Sequence, residues 1–133
     1  MSLPVERACQ QAPSPVLVEA ATLYEAGDYF ACHEVLEELW REAAGPLREL
    51  YRGLIQIVVG LYHVQRGNLV GGRAVLARGL ARVERYPSPC VDLDLVQLCR
   101  GVMSYLRWIE AGATGPRPVP PRWCWVRPVE GCE

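Results

Sequence analysis

The sequence contains no lysine; all 14 basic residues are arginine. That excludes chemistry built on a Schiff-base lysine. Beside the many alanines, glycines and prolines, the absence reads as a G- and C-rich coding bias, with thermophily as a possible companion, and it needs no functional cause. A basic surplus is missing too: the formal net charge is −1. Such a chain has no general attraction for nucleic acid or anionic lipid, so neither nucleic acid nor membrane is an expected partner. Long apolar runs are also absent. The most apolar stretch, Leu54 to Tyr62, spans nine residues, whereas a membrane-spanning helix needs about 20. The opening residues carry Glu6, Arg7 and two glutamines where a secretory signal would have a basic and then an apolar region, and the expected location is the cytoplasm.

Several reaction classes fall away for lack of parts. There is no Gly-rich phosphate loop, no G-x-S-x-G elbow and no kinase-like set, and serines number four. The six cysteines (Cys9, Cys32, Cys90, Cys99, Cys124, Cys132) include no C-x-x-C pair, which argues against a zinc ribbon or a redox motif. Cys32 and Cys99 occupy apolar helical positions. The thiols are expected to be reduced and to serve as small hydrophobes.

What is present is helix punctuation around one core. Ser14-Pro15 is a cap followed by a first-turn proline, and Gly27 is a stop, giving a helix over about 15–26. Asp28 caps a second helix from Tyr29 to Ala44. After Gly45, Pro46 opens a third that runs to Arg66, with Gly67 as its stop. Asn68 caps a fourth, lasting to Tyr86 and broken by Pro87-Ser88-Pro89. Asp92 caps a fifth, ending near Gly112. No stretch alternates with period two between hairpin turns. The fold class is therefore all-α: a small bundle of four to five antiparallel helices over residues 14–112, with a flexible leader at 1–13. An extended arm follows at 113–133, where five prolines forbid a regular helix. Its Trp123 and Trp125 are expected to dock on the bundle or on a second copy of the chain, making a homo-oligomer through the arm one expected assembly.

The chemistry-bearing residues concentrate on the second expected helix. Cys32, Leu36, Leu39 and Ala43 form its core stripe, and Phe30, His33, Glu37 and Trp40 form a second stripe mixing aromatics with an ionisable pair. On the third helix Arg52, Gln56 and His63 interrupt an apolar face. Counting outward from the Gly45-Pro46 turn sets Trp40 near Glu49, Glu37 near Arg52 and His33 near Gln56. The expectation is a polar seam between two helices, with Glu37 paired to Arg52, because an unpaired buried charge costs several kcal/mol. The fourth helix carries Arg78, Arg82 and Arg85 on a face expected to be solvated.

The strings Gly27-x-Tyr29-Phe30-x-x-His33-Glu34-x-Leu36-Glu37-x-x-Trp40, Arg52-Gly53-Leu54-Ile55-Gln56, Tyr62-His63 and Gly67-Asn68 resemble a prokaryotic family catalogued as domain of unknown function 309. The resemblance covers about residues 24–86. It implies an all-helical fold and no established activity, and it directs attention to His33, Glu37, Trp40, Gln56, His63 and Asn68. Three uses compete for this cluster: a structural network that fixes helix register, a site for a small molecule or peptide, and a divalent metal held by His33, Glu37 and His63. The last lacks the familiar Glu-x-x-His or His-Glu-x-x-His spacing. Asn68 is most simply a cap, and Trp40 more simply core than a stacking platform. No motif names a reaction, so a cytoplasmic binding or interaction module is favoured. The alternative is a small metal-assisted hydrolase using His33, Glu37 and His63.

Overall fold

The structure, a computed structural model, describes residues 3–128. It contains the helices α1 (Leu3–Cys9), α2 (Pro15–Glu25), α3 (Tyr29–Glu42), α4 (Arg48–Gln65), α5 (Leu69–Val83) and α6 (Leu95–Glu110). Among the described residues there is no strand, only isolated bridges joining Cys90 to Leu93 and Leu93 to Trp125. The protein is all-α. No helix among the described residues is long and apolar enough to cross a membrane.

The punctuation works as side-chain chemistry. Ser14, Asp28, Asn68 and Asp94 cap α2, α3, α5 and α6 by accepting the amide N–H of Val16, Ala31, Gly71 and Gln97 respectively. Each thereby satisfies one of the donors that a helix start leaves over. Gly27 and Gly67 take φ of 79° and 86°, the left-handed conformation in which the chain leaves α2 and α4 at no side-chain cost. Asp92 does not cap the last helix as expected. It is buried and accepts two hydrogen bonds from the Arg127 guanidinium, so α6 starts later, from Asp94.

Successive helices pack side by side: α2 on α3, α3 on α4, α4 on α5 and α5 on α6. The central helix is α4, which buries Leu50, Tyr51, Leu54, Ile55, Ile57, Val58, Leu61 and Val64. An α-helix apolar on most sides belongs in the middle of its fold. Its contact with α5 runs backbone to backbone. A Cβ at Gly79 would stand 2.8 Å from the Gly53 carbonyl oxygen, and one at Gly72 would stand 3.0 Å from the Gly60 carbonyl oxygen.

Of the two flanks of the bundle, the N-terminal one differs from what the sequence suggests, and the arm packs on the bundle, one of its two expected places. The stretch expected as a flexible leader contains α1, whose Ala8 and Cys9 are buried. Cys9 forms a disulfide with Cys90, and the Cys9 carbonyl accepts the Val91 amide N–H at 2.8 Å. The expectation of reduced thiols fails for this pair because the 90–94 loop is folded against α1. Among the described residues Cys32, Cys99 and Cys124 are free, with Cys32 buried and Cys99 half-buried; Cys132 lies outside the described residues. The arm is docked. Trp123 stacks on Tyr24 with ring centroids 4.8 Å apart, the Tyr24 hydroxyl donates to the Pro121 carbonyl, and Pro121 presses on Gly101 of α6. The Asp94 amide donates to the Cys124 carbonyl at 2.9 Å and the Val126 amide to the Asp92 carbonyl at 2.8 Å. Such an arm gains burial for its aromatics without regular structure.

Candidate functional site

The Asp28 cap fixes where α3 begins, and its buried Tyr29, Cys32 and Leu36 fix how it is rotated. Phe30, His33, Glu37 and Trp40 follow at intervals of three or four and line its edge toward α4. His33 Nε2 lies 3.1 Å from Glu37 Oε1, with the two side chains 26% and 43% exposed. The pair is therefore wet on one side, the setting in which an i,i+4 contact contributes a few tenths of a kcal/mol.

Across the α3–α4 contact, the Phe30 ring meets Tyr62 of α4 at 6.0 Å between centroids, and Arg66 lies over Tyr62 at 5.6 Å. At the other end, Arg48 and Arg52 both lie over the Trp40 indole, their guanidinium carbons 4.2 and 5.1 Å from its centroid. Trp40 Nε1 is buried and makes no hydrogen bond with the described residues.

The expected Glu37–Arg52 ion pair is absent among the described residues. It is Trp40, three positions along from Glu37, that meets Arg52. The cause is the connection. Ala43 is extended, α4 does not begin until Arg48, and Leu47 offers no side-chain cap, so the turn is longer than the Gly45-Pro46 pair alone suggests. On a helix of 3.6 residues per turn, an offset of three is close to one full turn, so the same edge of α3 meets Arg52 through the residue about one turn nearer the connection.

Gln56 faces α5, where its side-chain oxygen accepts from Arg82 Nη1 at 2.9 Å. The same guanidinium approaches Glu49 at 3.7 Å. Arg82, expected on a solvated face, is half-buried between the helices, while Arg78 and Arg85 are exposed. The His63 carbonyl accepts the Asn68 amide at 2.8 Å, which closes the α4 terminus, and the Asn68 side chain caps α5. The seven residues singled out in the sequence thus divide into three places. His33, Glu37, Trp40 and Arg52 share the α3–α4 edge, Gln56 belongs to α4–α5, and His63 and Asn68 belong to the turn beyond. His63 is not brought to the His33–Glu37 pair. Among the described residues no group of three or more His, Cys, Asp or Glu side chains is gathered in a way that could hold a metal ion.

Sequence reasoning missed Arg48, Tyr62 and Arg66. Their signal is the spacing of 48, 52, 62 and 66 along one flank of α4, legible once the turn length is known. It also missed a cleft of about 330 Å³ between the arm and the α2–α3 corner, lined by Tyr24, Glu25, Tyr29, Arg122 and Trp123 among others. Neither the Cys32 nor the Cys99 thiol is poised for nucleophilic work. Burial, with a smaller contribution from Asp28, pushes the Cys32 thiol up to about 12, and burial, with Glu84, pushes Cys99 up to about 11.

Fold and surface together define a small helical protein whose distinctive feature is an aromatic and arginine-bearing edge between α3 and α4. Over residues 17–75, which span α2, α3, α4 and the start of α5, the chain is similar to the family described as a domain of unknown function (DUF309). Among curated relatives, an uncharacterized protein YpuF of Bacillus subtilis (strain 168) is 39% identical over 90 residues, covering 63% of this chain and 52% of that protein. An uncharacterized protein of Aquifex aeolicus (strain VF5) is 32% identical over 84 residues, covering 62% of this chain and 25% of that protein. The chain thus spans about half the length of the first relative and a quarter of the second.

Proposed function

We propose that this protein is a cytoplasmic binding module that holds a segment of a partner protein against the α3–α4 edge. The observation that carries the reading is the composition of that edge. Trp40 lies beneath two arginines, Tyr62 beneath a third, and Phe30 beside Tyr62 is 53% exposed. Trp, Tyr and Arg are the residue types that dominate binding energy at protein interfaces, because each presents a large rigid surface with polar donors at its margin. The His33–Glu37 pair sits midway and supplies both donor and acceptor. The Cys9–Cys90 disulfide is compatible with a cytoplasmic protein of a hyperthermophile as well as with an exported one.

The test is a photo-crosslinking amino acid placed at Phe30, and in a parallel strain at Val70 of α5, which is 84% exposed. The expected outcome is one discrete protein adduct from position 30 and none from position 70. The captured protein, once purified, should bind the intact chain at least about tenfold more weakly when Trp40 is changed to alanine. Equal capture at both positions, or binding indifferent to Trp40→Ala, would refute the reading.

A further inference from the structure

Arg48 and Arg52 stand four residues apart on α4, over the same indole, and neither guanidinium makes a hydrogen bond or an ion pair among the described residues. Among the described residues, Glu37 pairs with His33 and Glu49 with Arg82, and Glu34, Glu38 and Glu42 of α3 form no ion pair with either arginine. Two like charges at this helical spacing repel each other. The indole face offsets part of that repulsion and, by holding the planar groups against it, restricts their rotation. Each guanidinium carries five N–H donors in a fixed fork and no acceptor. Both side chains are half-buried, so the charges are less screened than on an open surface. Arg48 also borders a hollow of about 200 Å³ beside the Gly45-Pro46 turn, with Gln11 and Tyr51 on its walls.

We propose that Arg48 and Arg52, stacked on Trp40, form a binding site for a phosphate monoester. The inference builds on the α3–α4 reading and names the anchor that this edge would grip. A carboxylate brings one negative charge and fills one fork. A phosphate monoester brings roughly −1.5 to −2 and three strong acceptor oxygens, which matches two guanidinium groups in both charge and donor count. A long polyanion fits less well, since the chain as a whole carries a net charge of −1 and supplies no extended basic track.

The experiment is a titration of the full-length protein with inorganic phosphate at low ionic strength, followed by nuclear magnetic resonance at the Trp40 indole N–H and the arginine Nε–H signals. Phosphate should shift the Trp40, Arg48 and Arg52 signals together. Arg48→Gln and Arg52→Gln should each weaken binding at least about tenfold, whereas Arg78→Gln on exposed α5 should not. Arg52→Lys, which keeps the charge and removes the fork, should give an intermediate loss and separates recognition from misfolding. Acetate should bind more weakly than phosphate at equal concentration. Tighter binding of a short phosphoserine peptide than of glycerol phosphate would place the group on the partner segment, and equal binding would make it a soluble phosphate monoester; both uphold the site. The proposal is overturned if phosphate leaves these signals unmoved, if acetate binds as well, or if the glutamine variants bind unchanged. Loss of phosphate binding with position-30 crosslinking intact would remove the anion site alone. Phosphate binding without crosslinking would remove the protein partner alone.

Discussion

Replacing Gly79 by alanine should destabilise this protein, against the usual preference of helices for alanine. In an open helix interior the change gains about 1 kcal/mol, because glycine loses more backbone freedom on folding. At position 79 the added Cβ would stand 2.8 Å from the Gly53 carbonyl oxygen, 2.9 Å from the Ile57 amide nitrogen and 2.9 Å from Ile57 Cγ1. Two of these are backbone atoms, so relief requires α4 and α5 to separate rather than a side chain to turn aside. Separation loosens the contacts of the fully buried Leu54, Ile57, Leu76 and Val83, and overpacking of this kind costs about 1–3 kcal/mol beyond what propensity returns. Urea titration followed by far-UV circular dichroism should register that loss, with Tm falling roughly 3–5 °C for each kcal/mol in a chain of this size. Gly53→Ala should cost less, since its closest neighbours are the Val83 and Arg82 side chains and the nearest backbone atom is 3.2 Å away. The double variant should be non-additive, because the two positions face each other. A Gly79→Ala protein as stable as the parent, or more so, would refute the argument.

Three further outcomes follow from the geometry. Glu37→Ala should cost less than about 1 kcal/mol, and Glu37→Ala with Arg52→Ala should be additive in denaturant titrations, since Glu37 pairs with the half-exposed His33 and not with Arg52; coupling above about 0.5 kcal/mol would restore the discarded ion pair. Trp123→Ala should lower stability by about 2–4 kcal/mol through loss of the stack on Tyr24, and unchanged calorimetric unfolding would show that the arm contributes nothing. Cys32, with its ordinary value of 9.0 raised to about 12, keeps its proton in the folded state while the unfolded chain loses it. Its contribution is thus whole below pH 9 and declines as pH rises toward 12, so stability should fall across that window, and Cys32→Ala should flatten the slope; an identical slope in the variant would exclude the thiol as a cause.

How much of this was legible in the sequence depended on whether the signal was local. Ser14, Asp28 and Asn68 act within three residues of themselves, and each caps the helix that the sequence assigns to it. Asp92 carries the same local signal and is taken by Arg127, 35 residues on, a competition that no local pattern reveals. The same limit governs the candidate site. The stripe Phe30, His33, Glu37, Trp40 and the His33–Glu37 contact are properties of one helix and could be read directly. Which residue of α4 meets Trp40 depends on the length of the 43–47 connection, and so the Glu37–Arg52 pairing failed by three positions. The glycines at 53, 60, 72 and 79 are a further case. Each alone reads as a weak point in a helix, and only their juxtaposition makes them a seam of close backbone contact. The Cys9–Cys90 bridge joins residues 81 apart in sequence, and spacing gave no hint of it.

The 90–94 loop grips the chain from both flanks, through the Cys9–Cys90 bond on one side and through Trp125, Val126 and Arg127 on the other. Under tension between residues 3 and 128, force would pass from α1 across the disulfide straight into that loop. Everything between residues 9 and 90, which includes α2 through α5 and the whole α3–α4 edge, lies inside a covalent ring and bears no load. Only α1, the clamp, α6 and the arm can pay out length. With the bridge intact, the protein should behave under load as a short tether attached to a rigid knot; once the bridge is reduced, the knot itself becomes extensible.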